Sequence, residues 1–168
     1  MSRASLSLAL LLLVGLAVAL SASRARAQDS DLPAHPPLKH AFADFMVGTW
    51  KVEADGPFPG KGTATIAKGV GGTALIEDLQ LTTTLGARSV HGVYRASEDG
   101  ASMHVWQFDT SGLEPLVASG PLRATDFEVS SETGGGVMRL TWARQGEMLV
   151  QKRVFGKMEV KTTYTRAK

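Results

Sequence analysis

The sequence contains no cysteine. A disulfide framework, a thiolate metal site and a cysteine nucleophile are therefore excluded. Whatever the fold is, its stability has to come from side-chain packing and from the hydrogen bonds of the backbone.

An excess of basic charge is also missing once the first residues are set aside. The chain has 18 Lys and Arg against 16 Asp and Glu, but Arg3, Arg24 and Arg26 all precede the first acid, Asp29. Residues 28–168 thus carry fifteen basic and sixteen acidic side chains. Because nucleic-acid phosphates are bound through a positive patch, we expect no nucleic-acid partner.

Long apolar runs are absent except for one, at residues 8–20. Its thirteen residues are fewer than the roughly 20 that a membrane-spanning helix needs. A basic residue precedes it and Ala25-Arg26-Ala27 follows, a small-x-small pattern typical of signal peptidase sites. The sequence predicts a signal peptide over residues 1–27, cleaved after Ala27, with Ser23 as the second choice and an uncleaved anchor as the alternative. We expect a periplasmic or secreted protein with no membrane insertion after cleavage.

A proline-rich leader follows at residues 28–37, where the prolines deny backbone donors to any helix or sheet. Apolar residues then recur at the spacing of one helical face, at Leu38, Phe42, Phe45 and Met46. This spacing predicts one short amphipathic helix, and Pro37 suits its first turn.

From Val47 onward the apolar residues follow the two-residue period of strands, with turn residues about every ten positions. The predicted strands are residues 47–54, 62–67, 73–82, 88–95, 102–109, 116–119, 124–131, 137–144, 148–155 and 159–165. Short links favour antiparallel neighbours. Because no later helix can cover a sheet, residues 38–168 are predicted to form an all-β, antiparallel up-and-down barrel. A two-sheet sandwich is the alternative.

Three motifs carry a resemblance to known proteins: Val47-Gly48-Thr49-Trp50, the pair Glu77-Asp78, and the closing Thr163-Tyr164-Thr165-Arg166. The chain resembles lipocalin-like proteins and, more closely, a bacterial family catalogued as domain of unknown function fifteen seventy-nine. The resemblance implies a calycin-type barrel of eight to ten strands with no established activity. It also implies structural roles for Gly48, Trp50 and Arg166, with the indole closing one end beneath Arg166 or Arg153.

Polar residues on apolar strand faces are the best candidates for a site, because a barrel interior rejects them unless they are paired or useful. Glu77 alternates with leucines, His104 shares a face with Trp106 and Phe108, and Lys152 lies between two valines. The predicted ligand-binding residues are Glu77, His104, Trp106, Phe108 and Lys152. The alternatives are structural ion pairs or exposed positions.

Motifs for catalysis, metals and cofactors are absent. No Gly-x-Ser-x-Gly occurs, the glycine clusters lack the Lys-Ser/Thr of a phosphate loop, and the four histidines show no ligand spacing. We therefore assign no catalytic residue, no metal and no cofactor. The leading hypothesis is a binding module for a small apolar or amphipathic ligand. An acid/base enzyme using Glu77 and His104 and a filled barrel with a structural or interaction role are the alternatives.

Overall fold

The structure is a computed structural model that describes residues 37–110, 115–133 and 135–168. The predicted signal peptide and residues 28–36 of the leader lie outside the described residues. The elements are helix α1 (Ala41–Met46) and strands β1 (Gly48–Ala54), β2 (Gly60–Lys68), β3 (Leu75–Thr83), β4 (Gly86–Ala96), β5 (Ser102–Asp109), β6 (Leu116–Pro121), β7 (Asp126–Thr133), β8 (Gly136–Gln145), β9 (Met148–Phe155) and β10 (Met158–Arg166).

The ten strands pair in chain order, each antiparallel to the next, and β10 returns to pair with β1. The predicted up-and-down barrel is confirmed, and the sandwich alternative is wrong. Closure follows from the apolar period, since each strand buries one face and the described chain offers only one short α-helix and a single 3-10 turn at Val70–Gly72 as cover.

Helix α1 begins later than the apolar spacing predicts. His40 is its N-cap, and the His40 imidazole accepts a hydrogen bond from the Phe42 amide at 3.3 Å. Leu38 precedes the helix because its amide donates to the Gly72 carbonyl at 2.8 Å instead of entering a first turn. Pro37 is therefore not a helical residue. The helix buries Phe42, Ala43 and Met46.

Aromatic side chains fill the half of the barrel that α1 closes. The Phe42 and Phe127 ring centroids are 6.1 Å apart, and Trp142 lies 4.9 Å from Tyr164. All four residues are at most 1% exposed. Such aromatic contacts contribute about 0.5–1.5 kcal/mol each beyond the area that they bury. This half is therefore a packed core, and any space for a ligand has to lie toward the opposite end.

No helix in the described ranges is long and apolar enough to cross a bilayer.

Candidate functional site

The end of the barrel opposite α1 contains a cavity of about 780 Å³. Hairpins β1–β2, β3–β4, β7–β8 and β9–β10 all turn at this end. The inner wall includes Leu79, Leu81 and Val90, which are at most 6% exposed. The rim carries Leu85, which is 76% exposed, with Phe58 and Met158 beside the same opening. The site is thus an apolar pocket with an apolar mouth.

Two guanidinium groups line this pocket, and among the described residues one of them, Arg88, forms an ion pair. Arg88, on β4, donates from Nε to the Asp109 carboxylate at 2.8 Å, and its Nη2 contacts the same oxygen. Arg153, on β9, donates from Nη2 to the Gln107 side-chain carbonyl at 2.6 Å. Within the described part of the chain, the buried Arg153 Nε has no hydrogen-bond partner. One positive charge in the pocket therefore lacks a counter-charge in direct contact.

A chain of hydrogen bonds leads from Arg153 into the packed half of the barrel. Gln107 Nε2 donates to the Tyr94 hydroxyl at 2.6 Å, and that hydroxyl donates to Glu77 Oε2 at 2.5 Å. Tyr164 donates to Glu77 Oε1 at 2.9 Å. Glu77 is fully buried and does not line the cavity. Its carboxyl group is therefore the inner end of a network that begins at the pocket.

Burial sets the direction of the pKa shifts in this network. Burial raises the pKa of Glu77, while the hydroxyls of Tyr94 and Tyr164 and the charge of Arg153 oppose that rise. Burial and the nearby carboxyl group raise the pKa values of both tyrosines well above 10.0. Burial and the neighbouring Arg88 lower the pKa of Arg153, while the charge of Asp109 and the two tyrosines oppose that fall. The tyrosines are thus neutral donors to the buried carboxyl group.

Gly92 makes room for the inner end of the network. It is paired with Glu77 on one side and with Gln107 on the other. A Cβ at Gly92 would lie 2.9 Å from the Tyr94 hydroxyl and 3.1 Å from Glu77 Oε2. Because glycine has no side chain, the Tyr94 hydroxyl and the Glu77 carboxyl group can form their hydrogen bond directly above the β4 backbone.

At the closed end, an arginine covers the tryptophan of the first strand. The Arg166 guanidinium lies 4.0 Å from the Trp50 ring, and the indole donates from Nε1 to the Met46 carbonyl at 2.9 Å. Arg166 also donates to the carbonyls of Phe45 and Val47, at 2.7 and 2.6 Å. The arginine over the indole is therefore Arg166, whereas Arg153 lies at the cavity.

Gly48 is required beneath that arginine. Its φ of +149° is one that side chains rarely adopt, and a Cβ there would overlap the Arg166 Nη1 atom. Trp50, Arg166 and Gly48 together join α1 to the first and last strands.

The structure brings only one of the five predicted ligand-binding residues into the interior. Glu77 points inward, but beneath the cavity. On β5 the inward residues are Met103, Val105 and Gln107, which are at most 3% exposed, so His104, Trp106 and Phe108 lie on the outer face. Apolar side chains occupy both faces of β5. Because Trp106 and Phe108 are the large aromatic ones, the sequence favoured their face as the inner one, and that assignment is wrong.

Lys152 is also outside the barrel. Its ammonium group pairs with Glu159 at 2.9 Å on the surface, and the neighbouring inward positions are Gln151 and Arg153. Glu77, His104 and Lys152 therefore do not meet inside the barrel. The inward prediction for Lys152 is wrong because Val150 and Val154, the two valines beside it, share its outer face, whereas Gln151 and Arg153 line the cavity.

Sequence reasoning missed Arg88, Gln107 and Arg153 as residues of the site. A signal for Gln107 was present, because Glu77 pairs with Gly92 and Gly92 pairs with Gln107. Once Glu77 is placed inside, its pairing partners on β4 and β5 must point to the same side of the sheet, so Gln107 is also inward. No comparable local signal marks Arg153, whose inward direction depends on the register of β9 with β8 and β10.

Across residues 37–110, 115–133 and 135–168, no group of three histidine, aspartate or glutamate side chains is close enough to hold an ion. His91 meets Asp78 at 2.7 Å on the outer surface, as an exposed pair.

Comparisons with known proteins add little to this picture. No protein-family model matches the chain, and no curated protein matches it. Among solved structures, the chain is similar to a redesigned β-barrel, with 17% sequence identity and a TM-score of 0.44 over 77% of this chain and 97% of that one. The resemblance to lipocalin-like proteins and to the family of unknown function stays a prediction.

Proposed function

We propose that this protein is a binding module that holds one small apolar or amphipathic molecule inside the barrel. The observation that carries the proposal is the cavity of about 780 Å³ above the packed aromatic core. Pockets that bury small ligands are typically about 300–1,000 Å³, with apolar walls and a few polar groups. The size and the lining of this cavity both fit that description.

The exposed apolar rim supports the same function. Leu85 and Phe58 stand at the mouth with 76% and 42% of their surface exposed. Exposed apolar groups around a concave opening are typical of ligand entry sites, because they are covered when the ligand enters. The signal-peptide pattern of residues 1–27 supports the further proposal that binding takes place in the periplasm or outside the cell.

The alternatives have less support. An acid/base enzyme would need Glu77 and His104 on one cavity, but the first is buried beneath the cavity and the second is on the outer face. A filled barrel would leave no internal volume of this size.

The test is a titration with the neutral fluorescent probe N-phenylnaphthylamine, which brightens when it leaves water. We expect saturable binding to the wild type at one site. Ala54 is 6% exposed and lines the cavity, so Ala54→Trp fills the space and should abolish the signal. Leu81→Trp serves the same purpose should the first variant not fold.

The matched control is Phe108→Ala, which removes an apolar side chain from the outer face and should bind the probe as the wild type does. Equal probe binding by the wild type and by folded cavity-filled variants would refute the proposal. Circular dichroism checks that each variant keeps its β-sheet spectrum.

A further inference from the structure

Arg153 is an unusual residue to find in an apolar pocket. Its side chain is partly buried, with Nε fully enclosed, and a charge held away from water is costly unless a counter-charge and hydrogen bonds surround it. Within the described ranges, Arg153 Nη2 donates to the Gln107 side-chain amide, Nε has no partner, and no carboxylate forms an ion pair with the guanidinium. The guanidinium carries five N–H donors, and side chains of these ranges accept from one of them.

The contrast with Arg88 shows what is missing. Both guanidiniums line the same cavity, but the Asp109 carboxylate neutralises Arg88. Glu77, the nearest acid along the network, is separated from Arg153 by Gln107 and Tyr94 and already accepts bonds from two phenols. Within the described ranges, the Arg153 guanidinium is therefore a cation that no carboxylate contacts directly.

We propose that the ligand of this cavity is an apolar chain ending in a carboxylate, and that the Arg153 guanidinium anchors the carboxylate. This inference rests on the proposed binding function. The planar fork of a guanidinium matches the two oxygens of a carboxylate, and charge-assisted bonds of this kind are stronger than neutral ones. The leucine and valine walls then contact the apolar chain.

The charge at the site also selects against other head groups. A cationic head would meet two guanidiniums in a low-dielectric space, where repulsion is strong. A neutral alcohol would form hydrogen bonds without neutralising Arg153. Asp109 and Glu77 already place two acidic groups near the two guanidiniums, so one further negative charge fits the site better than a doubly charged head.

The first experiment displaces bound N-phenylnaphthylamine with dodecanoate, dodecanol or dodecylamine, which share a chain and differ in the head group. For the wild type we expect dodecanoate to bind about tenfold or more tightly than dodecanol, with dodecylamine weakest. Equal binding of dodecanoate and dodecanol would overturn the anchor while leaving the cavity function intact. Absence of any probe binding would instead refute the proposed function itself.

The second experiment changes the anchor. Arg153→Met should lower dodecanoate affinity about tenfold or more and leave dodecanol within about twofold, so that the preference disappears. The matched control is Lys152→Met, which removes one positive charge from the adjacent, outward-facing position. It should keep the preference for dodecanoate over dodecanol. Arg153→Lys keeps the charge but loses the planar fork, so it should show an intermediate preference for dodecanoate. This variant tests the anchor even where Arg153→Met does not fold. An unchanged preference in a folded Arg153→Met protein would show that the carboxylate binds elsewhere.

Discussion

Replacing Tyr164 by phenylalanine removes one hydroxyl group and leaves the packed ring against Trp142 in place. The lost bond is the 2.9 Å contact to Glu77 Oε1 in a fully buried site. A hydrogen bond to a charged group contributes about 1.5–3 kcal/mol, and one between neutral groups about 0.5–1.5 kcal/mol. The cost of Tyr164→Phe therefore depends on whether the carboxyl group is ionised.

The pH dependence has a definite sign. Burial raises the pKa of Glu77 in the folded protein above its ordinary value of 4.5. The unfolded chain loses this proton first as the pH rises, so the free energy of unfolding falls from about pH 4.5 up to the folded-state pKa and is level above it. Removing the Tyr164 donor raises the folded-state pKa further, so the fall becomes larger. We expect Tyr164→Phe to cost about 1 kcal/mol near pH 4 and about 2–3 kcal/mol near pH 9.

Urea unfolding of both proteins at the two pH values measures these costs. The tyrosines stay protonated near pH 9, since their pKa values lie well above 10.0. The control is the same substitution in a Glu77→Gln background, where the cost should be about 1 kcal/mol at both pH values. A cost that is equal at the two pH values in the wild-type background would refute the claim that Tyr164 supports an ionising carboxyl group.

Three further predictions concern the closed end, the network and the leader. Gly48→Ala should lower the free energy of unfolding by about 2 kcal/mol or more, because the backbone at +149° is strained and Arg166 is displaced; a urea midpoint like that of the wild type would contradict this. Gly92→Ala should cost about 1–3 kcal/mol by pushing the Tyr94 hydroxyl from Glu77, and a pH profile unchanged from the wild type would show that the network tolerates a Cβ there. The mature protein should begin at Gln28 by intact mass, whereas a start at Arg24 would favour cleavage after Ser23.

Most of the fold follows from local signals in the sequence. Each predicted strand overlaps an observed one, and β5 and β9 have the predicted bounds. Turn glycines and the two-residue apolar period act over a few residues, so both can be read without knowing the partner strand. The pairing of β1 with β10, which closes the barrel, followed from the lack of covering helices rather than from a local motif.

The site was harder to predict because it depends on which face of each strand points inward. A shift of one residue reverses the faces, and β5 has apolar side chains on both. His104 and Trp106 were therefore assigned to the interior in place of Gln107 and Val105. Glu77 was placed correctly inside because the polar residues Asp78, Gln80 and Thr82 alternate with it and with the leucines that follow on its strand.

Native mass spectrometry of the protein purified from its own host tests the central claim most directly. A hollow barrel that holds a ligand should show a mass greater than that of the polypeptide by one small molecule, and denaturation should release that molecule. The extra mass should be absent from the Ala54→Trp protein prepared in the same way. A bare polypeptide mass for the wild type, with no uptake of an added apolar probe, would contradict the account.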